Sequence, residues 1–346
     1  MLGVDIARAI AIAGMIMVHF GPTPVPDSTG GMIYDVSHGR ASILFVLLAG
    51  IGISYLARGG QSKTAGFTSL DLVIRGAILL PLGLWLQDLD HGVLVILQFY
   101  AMYFFFAALI VTLSTRALIG LFAAFLIAGP IAREFFERNF AHWFVADPST
   151  LSTPIIEIAR DLLVSGYYPL ITWGAPLVLG MILGRMNLRN VSLRWGLAAA
   201  GIGLIVVSSI LDTLVRAIFD ISTYGSIASL MSDEAHSQSI VWMMDAIGAS
   251  LLVLGLCLVV GDLAGRLVWP LAATGQLALT IYVGHLILLD RYTDLFRRDT
   301  VSEAAVSVGL VMLAAILLAT AWRALFPVGP LEAVFRAPSM MLRRMR

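Results

Sequence analysis

Residues 3–55 read GVDIARAIAIAGMIMVHFGPTPVPDSTGGMIYDVSHGRASILFVLLAGIGISY. Two apolar runs, Val4 to Phe20 and Ala41 to Leu56, flank a polar loop from Gly21 to Gly39. A membrane-crossing helix needs about 20 mainly apolar residues, so the stretch reads as span, loop, span. Asp5 and Arg8 open the first span, and His19 closes it. His38, Gly39, Arg40 and Ser42 stand where the loop enters the second. Ionisable groups at or inside a bilayer are costly and mark functional positions. The chemistry is therefore expected in this stretch, centred on His38.

The rest of the chain extends the pattern. Of 346 residues, 59% are hydrophobic and 13% charged, with a mean hydropathy of +0.91. Soluble domains run nearer about 45–50% apolar and 25% charged. The apolar runs are helix-length and no strand alternation repeats, so the expected class is an all-α integral membrane bundle rather than a barrel. Zero net charge argues against a nucleic-acid partner. Cys257 is the sole cysteine, which excludes an intrachain disulfide and a cysteine metal cluster. The first run lacks a basic leader and carries Asp5 and Arg8, so it reads as a retained span rather than a cleaved signal.

Eight more spans are expected: Leu72 to Leu86, Val93 to Leu113, Ala117 to Ile131, Tyr168 to Leu183, Trp195 to Leu214, Ile240 to Val260, Val268 to Leu289 and Val306 to Phe326. Pro22, Pro24, Pro26, Gly30 and Gly31 break helices and mark an ordered loop over 21–40. A polar insertion, 133–165, contains a candidate interfacial amphipathic helix over Thr153 to Val164. No internal repeat or flexible linker divides the chain, so residues 1–346 are expected to form one domain of about ten helices. Basic residues follow the even-numbered spans: Arg58 and Lys63, Arg116, Arg185 with Arg189 and Arg194, Arg266, and the tail arginines. The opposite loops hold more acids, among them Asp27 and Asp233. The positive-inside rule then puts both termini in the cytoplasm and His38 on the outer side of the cell membrane.

Charged pairs recur at helical spacing: Asp5 with Arg8, Asp71 with Arg75, and Asp212 with Arg216. Asp245 has no basic neighbour within a turn. Gln98, Thr274, Gln276 and Thr280 read either as interhelical hydrogen bonds or as the lining of a ligand tunnel. His91, His142 and His236 read as surface histidines, and His285 as a histidine inside a span. Asp35, three residues before His38, is placed to orient its ring if the turn is helical. A histidine titrating near about 6.5 can take a proton or accept an acyl group. HExxH, GxSxG and P-loop motifs are absent. Gly50 and Gly52 read as sites of close helix packing.

VDIARAIAIAGMIMVHF, HGRASILFVLLAGIGIS, GVLVILQFYAMYF, and TGQLALTIYVGHLILL followed by FPVGPLEAVFR carry a family pattern in a fixed order. Together they resemble the membrane acyltransferases related to heparan-α-glucosaminide N-acetyltransferase, in particular their bacterial YeiB-like branch. The resemblance implies transfer of an acetyl or other acyl group from acyl-CoA across the membrane, with no metal. The family's essential histidine lies in the loop after the first span, and His38 matches it. Where the lysosomal member has an asparagine, this chain has His19, and where members usually show Arg-Gly it has Arg8-Ala9.

The expected mechanism follows. Acyl-CoA enters from the cytoplasmic side, its phosphates meeting arginines, with Arg8 and Arg75 first and Arg323 and Arg336 after them. Asp5, Arg40 and His285 complete the expected cofactor-binding set. The pantetheine arm runs along Gln98, Tyr103, Gln276 and Tyr282. His38 acts as base or acyl carrier, Asp35 orients it, and His19 stabilises the oxyanion. The acceptor is an amine or hydroxyl on a sugar, glycan, lipid or small amine. Membrane lipid surrounds the bundle, and a homodimer is an open case that the sequence does not decide. Two rivals stand beside this reading. One is a transporter using buried Asp, Arg and His, disfavoured because the sequence shows no inverted repeat and no paired broken helices. The other is a non-enzymatic scaffold.

Overall fold

The computed structural model describes residues 1–22, 29–58, 65–144, 147–218, 230–232 and 234–336. Lys63, Pro24, Pro26, Asp27, Asp233 and the tail arginines beyond Arg336 lie outside the described residues. The described residues are helical, with no strand among them. In chain order the principal helices are α1 (Leu2–Phe20), α2 (Thr29–Asp35), α3 (Arg40–Arg58), α4 (Ala65–Gln87), α5 (Leu97–Ile110), α6 (Thr115–Asn139), α7 (Ile155–Arg160), α8 (Leu170–Leu183), α9 (Val191–Ile218), α10 (Ile240–Leu263), α11 (Trp269–Gln276), α12 (Ala278–Arg291) and α13 (Val301–Leu325).

Each of the ten expected apolar stretches is occupied by helix, but not by ten straight spans. Among the described residues seven helices are long and apolar enough to cross a membrane alone, and two bent pairs raise the number to nine. The fourth stretch forms only α5, whose 14 residues cover about 21 Å against a core of about 30 Å. Its lead-in is held non-helical by side chains: Gln87 Oε1 accepts from the Val95 amide at 2.8 Å, and the Tyr282 hydroxyl accepts from that of Ile96 at 3.1 Å. The ninth stretch is broken at Leu277, where α11 and α12 meet at 64°. The break is capped from a distance. The Glu332 carboxylate accepts from the Thr280 amide at 3.0 Å and from its hydroxyl at 2.6 Å, an acid at a helix N-terminus. A second break, of 62°, separates the 155–165 segment from α8. Broken helices were not legible in the sequence, and their absence no longer counts against a transporter.

Three local expectations are corrected. Gly30 and Gly31 lie inside α2 rather than breaking helix in an ordered loop. Tyr34, 1% exposed, anchors this helix by donating to the Val18 carbonyl at 3.2 Å, in space left by Gly21. The insertion does not begin at Arg133, because α6 continues to Asn139. Arg133 with Glu137 (2.8 Å) and Arg138 with Glu134 (2.5 Å) pair across one turn and extend the helix past its apolar run. The amphipathic segment is helical only over Ile155–Arg160 and relaxes into a wider π-type turn at 161–165. It buries Ile158 and Leu162 and exposes Ile155 and Ile156.

The bundle is arranged around α1, which packs against α3, α10, α11 and α13. Small residues permit this: Gly3 and Gly261 bring α1 against α10, and Gly275 brings α11 against the Asp5 carbonyl. Gly50 meets α8 at Gly180, as expected, whereas a side chain at Gly52 would begin 3.7 Å from the Arg8 guanidinium rather than against another helix. Helices α6 and α9 bury little of their surface and form the periphery, with Ile119, Ile127, Ile202 and Ile210 turned outward as lipid requires.

Candidate functional site

Two polar regions lie at opposite ends of α1. At its N-terminal end a cavity of about 730 Å³ opens among α1, α3, α4, α5, the α11–α12 break and the segment after α13. Four arginines line it, Arg8, Arg75, Arg323 and Arg336, against the acids Asp5 and Glu332. Asp5 is 6% exposed. It accepts from Arg8 at 2.7 Å and from the Gln276 amide at 3.2 Å, and Gln276 in turn accepts from Arg323 at 2.7 Å. Arg75 pairs with the fully buried Asp71 at 3.4 Å. Phe45, Tyr100, Phe104 and Tyr282 contribute aromatic rings to the lining.

At the C-terminal end of α1, His19 Nδ1 lies 2.9 Å from His285 Nε2, the rings stacked with centroids 5.1 Å apart. The Tyr282 ring meets His285 edge-on at 5.1 Å. Tyr282 therefore joins the two regions, lining the cavity on one side and touching the histidine pair on the other. His38 sits in the turn between α2 and α3, its ring edge-on to Tyr34 at 4.7 Å. Its Nδ1 is buried without a hydrogen-bond partner. The nearest carboxylate oxygen of Asp35 is 3.7 Å away, an ion-pair distance but too long for a hydrogen bond. Burial lowers the His38 pKa, and Asp35 partly opposes this.

Gly39 brings this turn against the bundle. Its φ of +68° is a glycine conformation, and a side chain there would begin 2.5 Å from the Trp242 ring and 3.4 Å from His236 Nε2. His236 is half-buried rather than a surface histidine. It packs on Trp242 and Tyr168, and burial, with His38 nearby, holds its pKa down to about 4. His91 is also buried, 1% exposed, as the lock of the turn before α5. Its Nε2 donates to the Leu86 carbonyl at 2.8 Å, and its Nδ1 accepts from the Val93 amide at 3.2 Å.

Of the residues singled out by sequence, Asp5, Arg8, Arg75, Gln276 and Tyr282 share the cavity. His19 and His285 form the pair beyond it, and His38 with Asp35 lies in the turn. The other three sit elsewhere. Arg40 donates to Asp245 at 2.6 Å, which supplies the partner Asp245 lacked in sequence. Gln98 lies between α4 and α5, its side-chain amide against the Val95 and Gly83 carbonyls. The Tyr103 hydroxyl donates to the Tyr168 carbonyl at 2.6 Å. Glu332 and His236 were missed as site neighbours. Glu332 had a cue, since it stands in the FPVGPLEAVFR motif; His236 had none.

Residues 1–212 match the family model described as heparan-alpha-glucosaminide N-acetyltransferase, catalytic. Residues 192–341 match one described as protein of unknown function (DUF418). No curated protein matches the chain.

Proposed function

The chain belongs to the heparan-alpha-glucosaminide N-acetyltransferase family, in its YeiB-like branch, and from that premise we propose that it moves an acetyl or other acyl group from cytoplasmic acyl-CoA to an amine or hydroxyl at the outer face. In this reading both termini face the cytoplasm and the protein resides in the cell membrane as a single domain over residues 1–346. Arg8 and Arg75, with Arg323 and Arg336, meet the CoA phosphates through charge-assisted bonds. The acyl arm passes Gln276 and Tyr282 toward the histidines. His38 takes the acceptor's proton or the acyl group itself.

The observation that carries this reading is an arginine-lined cavity whose wall residue Tyr282 touches the histidine pair. A cavity of about 730 Å³ lies within the range of about 300–1,000 Å³ usual for small-ligand sites. Its arginines suit polyphosphate, and one residue of its wall, Tyr282, meets His285. A CoA arm of about 20 Å by standard bond lengths crosses most of a core of about 30 Å only if CoA enters a vestibule, the part this reading gives to the cavity.

The test is acyl-CoA binding and hydrolysis by purified protein in detergent, wild type beside His38→Ala. Release of CoA thiol that disappears in the variant, with binding kept, is the expected result. Equal turnover in both moves the chemistry to His19 or His285. No acyl-CoA binding by folded protein overturns the reading. A transporter is the second reading, favoured by the two broken spans at 155–183 and 265–291, since transporters build sites at such breaks. Substrate uptake by proteoliposomes without acyl-CoA binding would select it.

A further inference from the structure

The hydrogen bonds of the histidine pair fix which nitrogen of His19 carries a proton. His285 Nδ1 lies 3.3 Å from the Ile281 carbonyl oxygen, one turn back on α12. A carbonyl only accepts, so this contact is satisfied when His285 carries its proton on Nδ1. In the neutral ring His285 Nε2 then bears a lone pair and must accept. The 2.9 Å contact to His19 Nδ1 is therefore a bond that His19 donates. The opposite arrangement would set a bare Nδ1 of His285 against the carbonyl oxygen, two lone pairs facing each other. His19, its proton committed to Nδ1, is left with a lone pair on Nε2. That atom has no protein partner among the described residues, and His19 is partly exposed.

We infer that His285 holds His19 in the Nδ1–H tautomer, so that His19 Nε2 is a proton acceptor for the incoming nucleophile rather than a donor to an oxyanion. Free imidazole side chains favour the other tautomer, so the arrangement is imposed by the fold. The inference rests on the acyltransferase reading. In the step it implies, the acceptor X–H attacks the acyl carbon, the X–C bond forms and the C–S bond breaks with its electron pair on sulfur. The X–H proton passes to His19 Nε2 and from that imidazolium to the thiolate, giving acyl–X and CoA thiol. His38 keeps the acyl-carrier role alone: on acyl-His38 the same path holds, with the C–N bond breaking in place of C–S and the proton returning to the His38 ring. His285 is a positioning residue, and the edge-on Tyr282 ring holds its plane. The titratable and charged groups around His19 are His285 from α12, His91 from the turn before α5, Arg297 from the segment after α12, and His38 from the turn before α3.

Two measurements on the full chain test this. The first is solid-state NMR of protein carrying ¹³C,¹⁵N-labelled histidine in lipid, with the signals of the pair identified by their loss in His19→Asn and His285→Gln. Both rings are expected as Nδ1–H tautomers, and an Nε2–H signal for His19 overturns the inference whatever the activity. The second is the pH dependence of acetyl-CoA hydrolysis, with water as the nucleophile. His19→Asn keeps a donor but has no base. Its kcat is expected to fall about a hundredfold, the scale of general-base catalysis, with KM for acetyl-CoA within twofold and the acid limb flattened. His285→Gln, whose amide oxygen can still accept from His19 Nδ1, is expected to keep kcat within fivefold, while His285→Phe loses it. Wild-type kcat in His19→Asn overturns the inference. Failure of the wild type to turn over acetyl-CoA instead overturns the acyltransferase reading and the catalytic half of this one, while the NMR still decides the tautomer.

Discussion

The two ends of α1 handle polarity in opposite ways. At the N-terminal end, Asp5 and Arg8 form an ion pair whose bonds extend through Gln276 to Arg323 around a cavity. At the C-terminal end the polar groups are rings. His19 and His285 bond to each other, and His38 and His236 keep buried nitrogens without partners. Charges paired and hydrogen-bonded at a cavity wall can persist where isolated ones could not. Imidazoles can be buried neutral and still move a proton. One helix thus carries an arginine-lined end and a histidine-lined end, joined by Tyr282, which touches both.

The largest effect that would break this division is at the histidine end. His38→Ala should lower acyl-CoA turnover by about a hundredfold or more, the scale of losing one acid–base or nucleophilic group, with acyl-CoA affinity unchanged by calorimetry. An equal loss of affinity would erase the distinction between the ends.

The next sits at the arginine end. Arg8→Ala removes a charge-assisted contact of about 1.5–3 kcal/mol, so KM for acyl-CoA should rise by about ten- to a hundredfold with kcat less affected. Arg8→Lys should recover only part of this, because an ammonium cannot form the two-pronged bond. A purely kcat effect would move Arg8 out of the phosphate site.

Two structural predictions sharpen the comparison. Gly39→Ala forces a side chain into the left-handed region at a cost of about 1–2 kcal/mol and against the Trp242 ring, so it should lower Tm and displace His38 together. Glu332→Ala uncaps α12 at the break and should destabilise by about 0.5–2 kcal/mol, read as a lower Tm in detergent, with Glu332→Gln intermediate.

The smallest effect is in pH. His236 is held near 4, and His38 and His91 are also shifted down by burial. Each binds its proton more weakly folded than unfolded, so stability is full above the unfolded value of about 6.5 and falls as pH drops below it. For His236 the loss continues to about pH 4. Tm measured from pH 7 to 4 should decline, and His236→Gln should flatten part of that decline.

Much of the membrane plan was legible. The ten apolar runs, the i,i+3 and i,i+4 charge pairs and the ordered motifs depend on local composition and spacing, which the bilayer's uniform demand for satisfied backbone makes readable. The broken helices were not legible, because their freed backbone groups are satisfied by residues remote in sequence, as Thr280 is by Glu332 and Ile96 by Tyr282. His91 and His236 looked like loop histidines for the same reason: their burial comes from packing partners, not from their neighbours in the chain.

By itself, then, the sequence determined an all-helical membrane protein, its family and the set of residues from which a site could be built. Hydrophobic length and motif order carry that information along the chain. Only the tertiary structure decided which of those residues meet. It set Gln276 between Asp5 and Arg323, gave Arg40 to Asp245, and closed His19 onto His285. Those pairings depend on where helices cross and break, and crossing points are fixed by packing between segments that spacing along the chain does not encode.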